Sequence, residues 1–186
     1  MNLARDPGLC PRPATVGWLA RVYSCRAMTI SGAIDKDYAR LQEQVLEIAG
    51  AMPGDRYSFR PAPKVRSFGE QLRHIGAVQW VVGAGLLSES PPADVGDGDS
   101  GPLSMTAKPE ILKYTGDSFS YLRRAIKSIN ESNALEMIPH PFDPENTSTE
   151  RLALAVGYAS HGWEHYGQMV VYLRITGIVP PASRAN

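Results

Sequence analysis

The sequence predicts an all-α protein, a four-helix bundle carrying an N-terminal extension. Three observations predict it. Apolar residues recur at steps of three and four in four separate stretches. Helix caps and helix breakers bound those stretches. No stretch shows the sustained alternation of a strand, and no internal repeat appears. With 186 residues and 43% hydrophobic content, the chain can bury the core of one domain.

The elements follow in order. Residues 1–28 stand apart as a loosely ordered extension. Arg5, Arg12, Arg21 and Arg26 are set against one acid, Asp6, and Pro7, Pro11 and Pro13 break up the segment. It lacks the continuous apolar segment of a secretory signal, and Met28 is an alternative start. The bundle is assigned to residues 29–186. Its first helix carries Ile34, Tyr38, Leu41, Val45, Ile48 and Met52 and ends at Pro53-Gly54. The second opens at Ser67, where Ser67 and Glu70 have the spacing of a capping box, and carries Phe68, Leu72, Ile75, Val78, Val82 and Leu86. A polar loop, Ser88 to Met105, follows with three Gly, three Pro and three Asp; it is expected to be mobile and to lie near the site as a lid. The third helix follows Thr106, with Leu112, Thr115, Phe119, Leu122, Ile126 and Ile129 on one face. Residues 139–144 read as a loop. The fourth helix is expected from Thr147, with Glu150 as its reciprocal cap, to about Thr176, closed by Gly177.

Composition excludes several function classes. Nineteen Lys+Arg balance nineteen Asp+Glu, so no long-range field draws the chain to nucleic acid or an anionic membrane. The longest apolar run, Trp80 to Leu87, falls far short of the roughly 20 residues a membrane span needs. Cys10 and Cys25 both lie in the extension and read as free thiols of a cytoplasmic protein. A homodimer is compatible with this composition.

The fourth helix holds the chemistry. His161 and His165 are four residues apart and stack on one helical face. His74 sits on the second helix, and His140 falls in the 139–144 loop. Two imidazoles from one helix and one from another make a three-ligand metal site with open positions, the pattern of a catalytic rather than a structural ion. A chance pair on a helix face is the ordinary alternative. Two stripes run along this helix: Leu152, Val156, Ala159, Trp163, Tyr166, Val170, Leu173, and almost opposite them Tyr158, His161, His165, Gln168, Tyr172. Small residues between the stripes, Gly157, Gly162 and Gly167 among them, suggest burial and close packing all round. Tyr158, Gln168 and Tyr172 are therefore candidates to line the pocket or orient the ligands. Glu164 lies off the histidine face, at an exposed edge.

These residues resemble a known family. His74 in Ser67-Phe68-Gly69-Glu70-Gln71-Leu72-Arg73-His74-Ile75, the pair His161 and His165 followed by Gly167-Gln168, Tyr172-Leu173-Arg174, and Gly177 with Pro180-Pro181 are similar to the DinB-like, or DinB/YfiT-like, superfamily of metalloenzymes. Tyr57-Ser58-Phe59-Arg60-Pro61 adds to the likeness, which spans about residues 31–182. The resemblance implies a bundle with a long crossover and a divalent metal on His74, His161 and His165. It also implies relatives that transfer sulfur from bacillithiol or mycothiol, isomerise, or hydrolyse.

Three neutral imidazoles leave a bound ion its full charge and open positions, which suits Zn or Ni first, with Fe, Mn or Cu as alternatives. Thiol-dependent S-transfer or metal-assisted hydrolysis of a small molecule follows, with a low-molecular-weight thiol as cosubstrate in the first case. Hydrolysis calls for a general base; Glu70, one turn before His74, is the candidate, although its capping role competes. The lack of an obvious base favours thiol chemistry. The alternative is a non-catalytic stress-response or binding protein whose metal is structural.

Overall fold

The computed structural model describes residues 28–184 except 144 and 146. The extension, apart from an exposed Met28, lies outside the described residues, and so do both cysteines. Four helices make up the body: α1 (Ile30–Ala51), α2 (Phe68–Leu87), α3 (Lys108–Ile126) and α4 (Arg151–Ile175). α1 and α2 each pack on both α3 and α4, with the tightest pairing between α2 and α3. α1 and α2 therefore stand diagonally across the bundle, and the chain between them crosses it. Consecutive helices α1 and α2 are not neighbours, whereas α2 and α4, which carry the histidines, are.

Local chemistry sets the helix ends. Thr29 caps α1 by accepting from Gly32 N. Ser67 and Glu70 form the expected reciprocal box: Ser67 Oγ accepts from Glu70 N at 3.3 Å, and Glu70 Oε2 accepts from Ser67 N at 2.7 Å. α4 ends in a Schellman closure, in which Gly177 N donates to Arg174 O and Ile178 N to Leu173 O. α3 begins at Lys108, two residues after Thr106, with Pro109 in its first turn and no side-chain cap.

One segment departs from the sequence reading. Met137–Pro139 (β1) and Ser148–Glu150 (β2) pair as a small antiparallel ribbon with Ile138 opposite Thr149. The three residues after Thr147, expected in the first turn of the fourth helix, are thus in a strand, and α4 starts at Arg151 with no side-chain cap. Arg151 fixes the junction, bonding Glu136 at 2.9 Å and the Leu86 carbonyl in the last turn of α2.

The apolar stripes of α1 and α2 are buried almost as predicted, from Tyr38 to Met52 and from Phe68 to Leu86. α2 is buried on nearly every face, and two glycines let α3 approach it. A Cβ at Gly76 would stand 2.6 Å from the Tyr114 ring, and one at Gly83 would stand 2.6 Å from the Tyr121 ring. Glycines seven apart on one helix thus seat tyrosines seven apart on the other. α4 is less buried than its composition suggested. Its core face, Leu154, Ala155, Ala159, Gly162, Met169, Tyr172 and Leu173, runs between the two predicted stripes, leaving Val156 exposed. Gly162 alone of the three predicted glycines is in a close contact, against Leu41 of α1; open space surrounds Gly157 and Gly167.

Candidate metal centre

The capping box fixes where α2 begins, and that phase sets His74 two turns in, on the face toward α4. On α4, His161 and His165 follow the helical repeat onto the same spot. The three Nε2 atoms form a nearly equilateral triangle: His74 to His161 at 3.2 Å, His74 to His165 at 3.1 Å and His161 to His165 at 3.0 Å. Nitrogens that share one ion at about 2.0–2.1 Å stand roughly 2.9–3.4 Å apart for bond angles between right and tetrahedral, so the triangle fits one ion. The rings meet edge to face, with interplanar angles of 68°, 75° and 73°.

The hydrogen bonds behind the rings fix which nitrogens carry protons. His74 Nδ1 lies 2.9 Å from the Asp99 carbonyl, which only accepts. His74 therefore donates from Nδ1 and leaves a lone pair on Nε2. A chain of donors settles His165. Tyr172 gives its hydroxyl proton to the Arg66 carbonyl at 2.7 Å, so that hydroxyl can only accept from Gln71 Nε2, at 3.4 Å. Gln71 Nε2 also donates to Gln168 Oε1 at 2.8 Å. The Gln71 oxygen must then face His165 Nδ1, at 2.7 Å, and take its proton. His165 Nε2 is left with a lone pair as well. Two lone pairs 3.1 Å apart repel unless a cation or proton stands between them, and outer partners of this kind are what orient metal-bound histidines.

The electrostatics disfavour a proton there. Burial pushes the His165 imidazole down to about 3, and the neighbouring charges of His161 and His74 push the same way. Burial also lowers His74 against an opposing hydrogen bond to Asp99, and lowers His161 with a further contribution from His74. Three converging neutral imidazoles are the protonation state a divalent ion requires. No Asp or Glu among the described residues joins the three histidines within ligand distance of one another.

The other candidates fall around this triangle. Tyr158 sets its ring 5.8 Å from His161, edge to face, and Tyr172 and Gln168 lie behind His165 in the chain just described. The Glu70 carboxylate is held by Ser67 N and Arg60. Burial would raise its pKa, but the Ser67 and Arg60 bonds outweigh burial and hold it below the usual carboxylate range. His140 is two rings removed, 6.3 Å from Tyr158 and outside the triangle. Glu164 is exposed, within 3.5 Å of Gln168.

Three participants were not read from the sequence. Gln71 orients His165, and its position three residues before His74 on one helical face was the available signal. Asp99 supports His74 through its carbonyl at 2.9 Å and, less closely, its carboxylate at 3.4 Å; it lies on a loop, where helical spacing gives no signal. Arg73 is buried, and its Nη1 donates to the carbonyls of Pro102, Leu103 and Met105, fastening the 88–105 loop over the His74 end.

A family model described as the DinB superfamily matches residues 37–169. Among solved structures, a DinB-like protein from Bacillus cereus is similar with a TM-score of 0.66 and 17% identity, over 83% of this chain and 97% of that one. A conserved protein from Enterococcus faecalis is similar with a TM-score of 0.64 and 17% identity, over 78% of this chain and 95% of that one. At this identity the likeness speaks for the fold. No curated protein matches the chain.

Proposed function

The chain belongs to the DinB superfamily, and on that premise we propose that it is a metal-dependent enzyme acting on a small molecule. One observation carries the reading: two Nε2 lone pairs, fixed by hydrogen bonds on the far side of their rings, converge with a third imidazole on one point. His74, His161 and His165 would hold the ion, Zn or Ni ahead of Fe, Mn or Cu. When bound, a divalent ion with three neutral ligands supplies Lewis acidity at its open positions, favouring an anionic sulfur or oxygen nucleophile.

The protein's own groups do the rest. Asp99 O and Gln71 Oε1 hold the His74 and His165 rings in one tautomer. The loop fastened by Arg73 brings Asp99 against the His74 ring. No carboxylate among the described residues meets the three Nε2 atoms. Asp99 lies behind His74, its carboxylate 3.4 Å from Nδ1, and Glu70 is engaged by its own helix cap, so thiol-dependent S-transfer is favoured over hydrolysis, because a thiol bound as thiolate needs no general base. We place the enzyme in the cytoplasm, with a small-molecule substrate, a low-molecular-weight thiol cosubstrate, no nucleic-acid or membrane partner, and room for a homodimer. No helix among the described residues is long and apolar enough to cross a membrane.

The test is a screen of thiols against small electrophiles, run with the metal-loaded chain, the chelated chain and a reconstituted sample. Turnover that disappears on chelation and returns with metal is the expected result. A chain that holds its ion tightly yet turns over no pair would fit a stress-response or binding protein with a structural metal.

A further inference from the structure

We propose that the cleft beside His165 binds a carboxylate of the substrate through Arg66 and Lys64. The proposal rests on the enzymatic reading above and names the substrate's chemical class. A cleft of about 620 Å³ is lined by Pro61, Lys64, Arg66, Gln71, Gln168 and Tyr172. Gln71 is the residue that holds His165, so the cleft and the histidine triangle share a wall.

The charge here is unbalanced, although the chain as a whole is neutral. Residues 57–74 carry Arg60, Lys64, Arg66 and Arg73 against one acid, Glu70. Glu70 is engaged by Ser67 N and Arg60, with Arg73 at 3.9 Å, so it does not neutralise Lys64 or Arg66. Lys64 is exposed and has no ion pair among the described residues. Arg66 has one, to Asp99 at 3.5 Å, longer than the roughly 2.7–2.9 Å of a charge-assisted hydrogen bond. That Asp99 carboxylate shows the geometry Arg66 accepts, while leaving its fork incompletely used.

The backbone that carries the two cations is tied down. The Val65 carbonyl accepts from Arg60 at 2.6 Å and the Arg66 carbonyl from Tyr172 at 2.7 Å. Lys64 has φ 67°, in the left-handed region that ordinarily takes glycine. The other non-glycine residue there, Ser88, closes α2; Lys64 ends no helix. A lysine kept where glycine would be relaxed, beside an under-used arginine, points to a charge wanted at that spot. One planar fork and one ammonium suit a carboxylate.

The experiment uses the full chain stripped of metal by chelation, so that no anion can bind a metal directly. Succinate and its neutral analogue succinamide are titrated in by ¹⁵N nuclear magnetic resonance, following the Arg66 Nε–H and the amides of residues 64–71 and 168. Succinate should shift these signals saturably and succinamide should not. Arg66→Gln and Lys64→Gln should each weaken succinate about tenfold or more, and the double substitution should abolish saturation. Unchanged affinity in the double variant, shifts spread over unrelated basic residues, no saturable shift at all, or a preference for inorganic phosphate would each overturn the proposal. Zinc stoichiometry is measured on the same variants. Retained zinc with lost succinate binding is the expected pattern; succinate binding in a chain that takes up no zinc would sink the enzymatic reading and leave the carboxylate site standing.

Discussion

Replacing Gln71 with leucine isolates the hydrogen-bond chain behind the histidine triangle. Gln71 is 3% exposed, and leucine fills most of its space with one side-chain atom fewer, so the change removes polar atoms more than volume. It deletes the acceptor 2.7 Å from His165 Nδ1 and the donor 2.8 Å from Gln168 Oε1. Orphaning a buried donor such as the His165 N–H costs about 1–3 kcal/mol. Loss of an outer partner typically costs about 10–100-fold in metal affinity, which corresponds to roughly 1.4–2.7 kcal/mol. The two figures agree, because the unpartnered ring is free to turn or change tautomer and withdraw its lone pair. Competition with a chromophoric chelator at pH 7.5 measures the affinity. Gln71→Leu should bind zinc at least about tenfold more weakly than wild type with unchanged stoichiometry, and Gln71→Glu, which still accepts from His165, should recover most of the loss. An affinity for Gln71→Leu within twofold of wild type would refute the claim that this chain orients His165.

Further outcomes follow from the same geometry. His165→Ala should abolish metal binding while His140→Ala leaves metal content unchanged, read by elemental analysis; equal losses would break the assignment. In the metal-free chain all three histidines ionise below the ~6.5 of free imidazole, so between that value and their folded values, about 3 for His165, the unfolded state binds more protons. Stability should be full above about pH 6.5 and drain as pH falls, a slope reduced in His165→Ala and checked by denaturant midpoints from pH 7.5 to 5. For the same reason metal affinity, expected from free imidazole to weaken as pH drops through 6, should hold to lower pH. Gly162→Ala would place a Cβ 2.5 Å from Leu41 Cδ2 and should destabilise by about 1–3 kcal/mol, whereas Gly157→Ala, in open space, should stabilise by up to about 1 kcal/mol; thermal melts showing the same sign for both would contradict the packing of α4. Chelation should lower the melting temperature by several degrees, since an ion at a hundredfold excess over its Kd adds about 2.7 kcal/mol, and circular dichroism should keep its helical signal.

The sequence disclosed the features that depend on side-chain type and spacing. The steps between Ile34 and Met52, the Ser67–Glu70 box and the Gly177 closure are local signals, and each lies where its spacing put it. The histidines were legible because a four-residue step on one helix is a geometric statement in itself. The ribbon was not. Its strands are three residues long, one ends in Pro139, and Thr147 to Glu150 has the spacing of a capping box, so a strand entering a helix looked like the helix's first turn. The buried face of α4 was misplaced because apolar and small residues surround it, and periodicity discriminates poorly on such a helix. The support of His74 comes from Asp99, mainly its carbonyl at 2.9 Å with the carboxylate at 3.4 Å, and a loop residue 25 positions away leaves no trace in helical spacing.

Coordination at the three histidines tests the account most directly. The tag-free chain, saturated with zinc and freed of excess, is to be measured by elemental analysis and X-ray absorption at the zinc edge. The account predicts one ion per chain with three imidazole nitrogens at about 2.0–2.1 Å and a remaining position filled by solvent or an added thiol. An unmetallated chain, or an ion whose imidazole signature survives replacement of His74, His161 and His165 by alanine, would contradict it.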